Sequence, residues 1–206
     1  LSIELEWVIQ VTHEGADQNE VKVPYEAIAH AKELGITRLT VQVGGALVSV
    51  PLTQVEDDIL FIVEHTEVAS DTSLPGDVRG AREIRAEDGD GNVLEDLGGE
   101  YFKVGVPAHG RNPSNPYLTM FRVGEDGETM NVGGQYNHET GLFEAYRNSF
   151  STYVVIENRV QFDDIEPVRS WAYQAIHELA AKGIVSGRGD GEFDPLAPLT
   201  RAEFAT

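Results

Sequence analysis

The most distinctive candidate for chemistry in this sequence is an arginine beside a helix-capping motif near the end of the chain. Thr200 and Glu203 form a Thr-x-x-Glu capping box, in which each side chain satisfies a backbone N–H at a helix start. Arg201 falls in the first helical turn, beside N–H groups that have no acceptor within the helix. Because a helix N-terminus with a nearby guanidinium attracts anions, the pattern predicts an anion-binding position at Arg201.

Two acidic, glycine-containing stretches place oxygen side chains at the alternating spacing that calcium loops use. They are Asp88-Gly-Asp-Gly-Asn92 and Asp190-Gly-Glu-Phe-Asp194. Neither keeps the EF-hand pattern, which needs glycine at the sixth position and glutamate at the twelfth. We therefore interpret both stretches as turns and predict neither a metal site nor a cofactor.

The histidines of the chain show no paired spacing that is typical of metal ligands. They are His13, His30, His65, His109, His138 and His177. His177 follows the apolar Ile176 in a helical stretch and is predicted to face outward. All six are predicted to be surface or edge residues.

The elements that must position Arg201 begin with a helix predicted from Val168 to Lys182. Pro167 suits the first helical turn, and Gly183 suits a left-handed C-cap. Helical spacing predicts one wide buried face made of Trp171, Ala172, Ala175, Ile176, Leu179 and Ala180. Glycines and prolines in the following residues predict a loop, which ends where the second helix begins at Thr200.

This part of the chain resembles the S-layer homology (SLH) domain family. The matching features are Phe162-x-Asp-Ile165, Trp171-Ala172, Ala175-Ile176, Leu179, Gly183-Ile-Val-x-Gly187, Asp190-Gly191-x-Phe193-x-Pro195 and Thr200-Arg-Ala-Glu203. They occur in the order and at the spacing of the family. The resemblance implies a short all-α helix–loop–helix that holds a secreted protein non-covalently on a bacterial cell wall. The implied ligand is a secondary cell-wall polysaccharide, which often carries acidic pyruvyl groups.

Carried over residue by residue, the resemblance implies a ligand groove lined by Asp163, Trp171 and Arg201. Arg201 would bind a carboxylate, Trp171 would stack on a sugar ring, and Asp163 would bind sugar hydroxyls. Each residue also has a plainer interpretation: Trp171 as core, Arg201 as a solvated residue and Asp163 as an N-cap. The family works as three tandem units, whereas this chain holds one unit that is cut off at Thr206. Further SLH units of the parent chain or of neighbouring protomers are therefore expected as partners.

The composition limits the partners that the whole chain is expected to have. It carries 35 Asp and Glu against 15 Lys and Arg, a formal net charge of −20. This charge argues against nucleic acid or an anionic membrane as a partner. The chain has no cysteine, which excludes disulfides and thiolate chemistry, and no apolar run long enough to span a membrane. Since it opens at Leu1 without methionine and ends within a motif, we interpret it as a piece of a longer protein.

The residues before the helical stretch are predicted to be mainly β. Short strands separated by Gly, Pro and Asn turns predict an antiparallel sandwich-like region, with one early helix at Tyr25–Leu34. The most apolar strand, Ile59–Val68, is predicted to be central. We divide the chain into a β-rich subdomain with one helix (1–70), a β-sandwich module (71–158) and the truncated SLH unit (159–206).

The second half of the β region also carries a resemblance. Leu118-Thr-Met-Phe121, Asn131-Val-Gly-Gly-x-Tyr136 and Phe150-Ser-x-Tyr153 resemble the β-rich modules that precede SLH repeats in Bacillota surface proteins, and more faintly ZU5 domains. Some ZU5-like domains cleave themselves at a His-Phe-Ser site. Here Ser149 stands in place of that histidine, so the general base is missing and no enzyme activity is expected.

These observations predict a fragment of a secreted, S-layer type surface protein located in the cell wall. The SLH segment would anchor it, and the β-rich part would be a spacer, adhesion or lattice module. The alternative is a carbohydrate-binding or accessory module of a surface-anchored glycoside hydrolase. An exposed aromatic such as Tyr117, Tyr136 or Tyr146 on a concave strand face would favour that alternative.

Overall fold

The chain folds mainly into β-strands, as the sequence predicts. The computed structural model describes residues 5–11, 17–69, 72–110 and 115–204. Within these residues the strands form one six-stranded and one seven-stranded sheet, accompanied by three α-helices. The mainly β class with one early helix is therefore confirmed.

The first sheet has six strands in the spatial order β1–β3–β4–β8–β12–β11. Their bounds are β1 Glu6–Gln10, β3 Arg38–Val43, β4 Ala46–Pro51, β8 Phe102–Pro107, β11 Gln135–Asn137 and β12 Leu142–Arg147. β1 pairs with β3 in parallel, and the other neighbours are antiparallel. The glycine pair Gly44-Gly45 between two apolar runs predicts a tight hairpin, and it connects β3 and β4 with φ of +58° and +72°.

The second sheet has seven strands, six of them in the order β10–β9–β13–β6–β5–β2, with β7 paired to β6. Their bounds are β2 Gln18–Val23, β5 Ile59–His65, β6 Asp77–Glu87, β7 Val93–Leu94, β9 Leu118–Val123, β10 Thr129–Gly133 and β13 Ser151–Glu157. The strand that starts at Ile59 is an interior strand, as the sequence predicts, because β5 pairs with β2 on one side and with β6 on the other. The long strand β6 lies between β5 and β13.

The two sheets share one hydrophobic core. Their alternating side chains contribute Leu39, Val41, Val48, Val50, Val104 and Phe143 from the first sheet, and Val23, Phe61, Val63, Ile84, Met120 and Tyr153 from the second. Phe150 packs against both sheets, because its ring stacks on Phe102 at 4.6 Å between centroids and meets Phe61 edge-on at 6.5 Å. Burial of apolar area between the sheets therefore holds the β-rich part, residues 5–158, together.

The early helix α1, Tyr25–Glu33, lies where the sequence predicts it. Pro24 precedes it, and the Tyr25 N–H donates to Asp58 Oδ1 at 2.9 Å. Ile28 and Ala31 are buried in the shared core at the spacing of one helix face. Gly35, with φ of +79°, follows the helix in the left-handed conformation that favours glycine.

The glycine-containing residues 133–141 predict a turn, yet strand β11 lies within them. It has only three residues, which is too short for an alternating pattern to stand out. Gly133 and Gly134, with φ of +69° and +104°, redirect the chain just before it. The chain thereby passes from β10 at the edge of the second sheet to β11 at the edge of the first.

Both predicted β domains contribute strands to both sheets. β5 pairs with β6 and β4 pairs with β8, so ladders connect residues before and after position 70. The single core described above also draws on both ranges. The division into residues 1–70, 71–158 and 159–206 stays a prediction about domain boundaries.

The C-terminal segment, residues 159–204, holds a 3-10 turn at Glu166–Val168 and the helices α2, Tyr173–Ala181, and α3, Arg201–Phe204. Turns occupy residues 169–172, so α2 begins five residues later than predicted. The loop between the helices contains an isolated β-bridge between Gly189 and Glu192.

Two asparagine amides of the β-rich part bind the C-terminal end of α2. Asn131 Nδ2 donates to the carbonyl oxygen of Ala181 at 3.0 Å, and Asn158 Nδ2 donates to the same oxygen at 3.1 Å. Ala181 is fully buried. The last carbonyls of a helix have no partner within it, so these amides replace the water that would otherwise solvate this one.

We predict that the two asparagines are energetically coupled through this shared carbonyl. Either amide alone keeps the oxygen hydrogen-bonded, whereas Asn131→Ala with Asn158→Ala leaves a buried acceptor unsatisfied. The double variant should therefore lose about 1–2 kcal/mol more unfolding free energy than the two single variants together. Urea titrations of the four proteins measure this difference. The other hydrogen bonds of Asn131, to Thr119 and Gly133, cancel in the cycle, and strict additivity would contradict the prediction.

Candidate functional site

A small second core organises the C-terminal segment. Ile165, Val168, Ala172 and Ile176 are buried together, and Phe162, Tyr173 and Phe193 pack against them. Val168, Ala172 and Ile176 recur at intervals of four residues, so one side of the helical stretch faces this core. The aromatic ring of Phe193 lies 5.0 Å from that of Phe162 and attaches the long loop to the start of the segment.

Asp164 fixes the same loop through its carboxylate. Its Oδ1 accepts the N–H of Phe193 at 2.9 Å, and its Oδ2 accepts the N–H of Asp194 at 2.6 Å. These hydrogen bonds, first that of Phe193, lower the pKa of Asp164 below its usual value. Asp194 has φ of +57°, an uncommon conformation for a residue other than glycine, and the carboxylate holds it there.

Asp163, the first predicted ligand residue, lies exposed beside this loop. Its N–H donates to the carbonyl of Gly191 at 3.0 Å. A Cβ on Gly191 would lie 3.3 Å from Asp163 Oδ2, so the loop glycine passes close to the carboxylate. The side chain stands in a position where a ligand can reach it.

Trp171, the second predicted ligand residue, is 74% exposed. The prediction that it belongs to the buried face of the helix was wrong, as it also was for Ala175 and Leu179. Residues 169–172 form turns, and burial follows Val168, Ala172 and Ile176, which leaves Trp171 turned away from the small core. An exposed indole provides a flat apolar face, so the plainer interpretation of Trp171 as core does not hold.

Arg201, the third predicted ligand residue, is exposed at the start of α3. Within the described part of the chain, no hydrogen bond, ion pair or ring contact joins Asp163, Trp171 and Arg201 to one another. The structure therefore places all three at the surface of the same segment without forming a closed site from them.

His177 is almost completely buried, at 2% exposure, which corrects the prediction that it faces outward. Its Nδ1 donates to the carbonyl oxygen of Val160 at 2.8 Å, since a carbonyl only accepts. Three aromatic rings surround the imidazole: Tyr173 at 4.3 Å, Tyr117 at 5.2 Å and Phe162 at 6.3 Å between centroids. The other ring nitrogen, Nε2, is buried without a hydrogen-bond partner in the described structure.

The histidine lies where the C-terminal segment meets the β-rich part. Tyr117, just before β9, hydrogen-bonds Tyr173 of α2 through their hydroxyls at 3.4 Å. Burial, followed by this hydrogen bond, raises the pKa of Tyr117 to about 12. The guanidinium of Arg159 stacks over the Tyr117 ring at 5.5 Å. The aromatic groups thus pack around the buried imidazole at the junction.

The first acidic loop is a hydrogen-bonded turn. The Asp88 carboxylate accepts the N–H groups of Asp90 at 3.0 Å and Asn92 at 2.8 Å, and also the Asn92 side-chain amide at 2.9 Å. These bonds, led by that of the Asn92 side chain, lower the pKa of Asp88. The carboxylate oxygens are engaged in the β6–β7 hairpin, as the interpretation of this stretch as a turn requires.

The two serines at the possible self-cleavage position, Ser149 and Ser151, both take part in hydrogen bonds of the fold. Ser151 Oγ donates to the carbonyl of Val123 at 2.9 Å, and the Tyr153 hydroxyl donates to the carbonyl of Ser149. Phe150 between them lies against the shared core. No general base approaches Ser151 through a hydrogen bond in the part of the chain that the structure describes.

Across positions 5–11, 17–69, 72–110 and 115–204, no three side chains of His, Asp or Glu come together as a metal-binding group. None of the helices in these ranges has the length and apolar character needed to cross a membrane.

Residues 161–205 match the model of the S-layer homology domain, so this part of the chain is an SLH domain. The chain is also 36% identical over 73 residues to an amylopullulanase of Thermoanaerobacterium thermosulfurigenes, which covers 35% of this chain and 4% of that protein. It is 45% identical over 49 residues to endo-1,4-beta-xylanase A of Thermoanaerobacterium saccharolyticum, covering 24% and 4%. It is 32% identical over 56 residues to the surface-layer 125 kDa protein of Lysinibacillus sphaericus, covering 27% and 5%.

The chain therefore spans only 4% to 5% of the length of these curated relatives. No solved structure matches the chain significantly. The SLH resemblance is confirmed, whereas the ZU5-like resemblance of the β-rich part finds no support in these matches.

We predict that Asp164→Asn destabilises the protein near neutral pH and matters less in acid. The folded-state pKa of Asp164 is lowered, so its contribution is present above the unfolded-state pKa and is lost as pH falls through the folded one. The loss of unfolding free energy in the variant should shrink below about pH 4. Chemical denaturation at several pH values measures it. Asp163→Asn removes the same charge one residue earlier and should cost less, so equal losses would contradict this role.

We also predict that His177→Ala lowers the unfolding free energy by roughly 2–4 kcal/mol, because it leaves a cavity and an unpaired Val160 carbonyl. Gln174→Ala, an exposed position on the same helix, should stay within about 0.5 kcal/mol of the parent protein. Urea unfolding followed by circular dichroism compares the two. A loss of similar size in both variants would show that the aromatic junction does not stabilise the fold.

Proposed function

We propose that the chain attaches a secreted protein to the bacterial cell wall through its SLH domain. The observation that carries the proposal is the family match over residues 161–205 together with the exposure of Trp171, 74%, in that domain. One of the relatives is itself named as a surface-layer protein. A large indole that is exposed on a folded domain is typical of a surface that binds a partner.

The partner that fits these side chains is an acidic secondary cell-wall polysaccharide. Trp171 would stack on a sugar ring, Arg201 would bind a carboxylate by charge-assisted hydrogen bonds, and Asp163 would accept from hydroxyls. Since the three side chains do not contact one another, the groove is completed by further SLH units. These units would come from the parent chain or from neighbouring protomers at the cell surface.

The β-rich part would act as a spacer, adhesion or lattice module with a β-sandwich arrangement and without catalysis. Two sheets around one core make a stiff support, and the hydrogen-bonded hydroxyl of Ser151 supports the absence of self-cleavage.

The alternative function is an accessory module of a surface-anchored glycoside hydrolase. Its support is that two relatives are named as polysaccharide-degrading enzymes.

Co-sedimentation with purified bacterial wall sacculi tests attachment. We expect the chain, extended by two further SLH units that complete the groove, to pellet with intact sacculi and to stay in solution with sacculi stripped of their secondary polysaccharide. Arg201→Ala should weaken binding roughly 10-fold or more, as expected for a lost charge-assisted contact of about 1.5–3 kcal/mol. Trp171→Ala should weaken it as well without lowering the unfolding free energy, because the side chain is exposed.

Leu196→Ala serves as the matched control, since Leu196 is 70% exposed in the same segment and belongs to no predicted groove. It should bind like the parent chain. Unchanged binding of the Arg201 and Trp171 variants would remove both residues from the ligand site. Equal pelleting with stripped sacculi would overturn the proposal of a polysaccharide partner.

A further inference from the structure

Strand β1 leaves one edge of the first sheet open. It is the terminal strand of that sheet, and among the described residues it pairs only with β3. The Leu5 carbonyl accepts an N–H from the start of β3 at 3.3 Å, and the Val11 N–H donates to a β3 carbonyl at 2.9 Å. Backbone groups point alternately to the two sides of a strand, so Glu6, Val8 and Gln10 direct theirs to the open edge.

The side chains of β1 divide between the shared core and solvent. Trp7 and Ile9 are partly buried and pack against the core. Glu6, Val8 and Gln10 are exposed on the outer face of the sheet, with Val8 at 50%. The apolar core therefore continues up to the open edge, where two of its side chains are only half covered.

β1 lacks the features by which the strands at the other ends of the two sheets avoid pairing. Exposed lysines, bulges and short length protect such edges. β2 carries the exposed Lys22, β10 contains a bulge between Asn131 and Gly133, and β11 has only three residues. β1 keeps an unbroken register with β3 and contains neither lysine nor proline. Its one charged side chain, Glu6, accepts a hydrogen bond from the hydroxyl of Thr40 on β3, which draws the carboxylate over the sheet.

A second copy of the same edge complements these groups when the two strands run antiparallel. With a two-fold axis at Val8, each Val8 lies opposite the other, and Glu6 lies opposite Gln10. In an antiparallel ladder every second pair of residues exchanges both of its hydrogen bonds, and these pairs hold the open backbone groups of β1. The same register sets Trp7 opposite Ile9 on the inner face, and pairs of an aromatic with a β-branched residue stabilise adjacent strands. No like charges face each other directly.

The open edge lies at the end of the sheets away from the SLH domain. β1 and β11 are the two ends of the first sheet, and the chain passes from β10 to β11 at the far end. The Asn131 side chain of β10 binds α2 there. A contact through β1 therefore leaves the SLH domain accessible.

We propose that the chain associates with a second copy of itself through β1, in a two-fold antiparallel contact centred on Val8. The partner is an identical chain, because the backbone groups and side chains of this edge complement themselves in one register. The contact covers Trp7 and Ile9 of both copies and joins their first sheets. It uses no residue of the SLH domain and does not depend on the proposed wall attachment.

Sedimentation velocity of the 206-residue chain over a wide range of protein concentration tests the association. We expect the 22.6 kDa monomer to convert to a dimer as the concentration rises. High salt should strengthen the dimer, because each copy carries a net charge of −20 and the contact contains no oppositely charged pair. Val8→Lys should weaken dimerisation roughly 10-fold, since it sets two like charges opposite each other at the axis. The substitution makes the whole chain less negative, so general repulsion does not account for this loss.

Hydrogen exchange followed by NMR tests the register residue by residue. The amides of Glu6, Val8 and Gln10 should become more protected as the dimer forms, because they gain acceptors. The amides of Trp7 and Ile9 point to β3 and should change less with concentration. An equal change at all five amides would contradict the proposed ladder.

Val78→Lys is the matched control, because Val78 is 47% exposed and lies on the interior strand β6. This variant should dimerise like the parent chain. An equimolar mixture of the Val8→Lys and Val8→Glu chains should form a heterodimer, since the register sets their charges opposite each other, and its absence would overturn the axis at Val8. Arg201→Ala should dimerise like the parent, so failure of wall attachment leaves this test intact. A monomer at every concentration, or association that Val8→Lys leaves unchanged, would refute the contact.

Discussion

The carbonyl oxygen of Ala181 is the contact on which the arrangement of the C-terminal segment depends. α2 has nine residues, which is shorter than a helix that is stable alone in water. Two amides from the β-rich part donate to the carbonyl oxygen of its last residue, Ala181. One turn earlier on the same helix face, the imidazole of His177 donates to the carbonyl oxygen of Val160. The helix is therefore stabilised by the sheet edge, and its orientation is fixed by hydrogen bonds that have directions.

This fixed orientation determines which groups of the SLH domain meet solvent. α2 packs on two sides: Ile176 faces the small core of the domain, and His177 faces the aromatic junction with Tyr117. The remaining side is left open, and Trp171 lies exposed just before the helix. A domain attached by a flexible linker would rotate and expose each of its faces to solvent at different times. Here one face is always covered, so a ligand meets the same set of side chains in every molecule.

The sequence predicts the β strands of the second half well, because turn residues at regular spacing and alternating side chains are local signals. It also predicts α1 and the hairpin at Gly44. The sequence-based prediction of burial fails for His177 and Trp171, because it assumes that the helix has only one buried face. Tyr173, His177 and Ala181 form a second stripe at the same four-residue spacing, and this stripe can be recognised in the sequence. What the sequence alone did not supply is the sheet edge against which this second stripe packs.

The distribution of charge follows from the same packing. A chain with a net charge of −20 repels polyanions at a distance, and this repulsion decays over about 10 Å at moderate salt. Close to the surface, the individual side chains decide what binds. The junction brings Lys182 of the C-terminal segment to the same cleft as Lys103 of the sheet, although 79 positions of sequence separate them. Each lysine has a carboxylate partner there, Glu144 for Lys103 and Glu178 for Lys182, so the packing gathers paired charges at this junction.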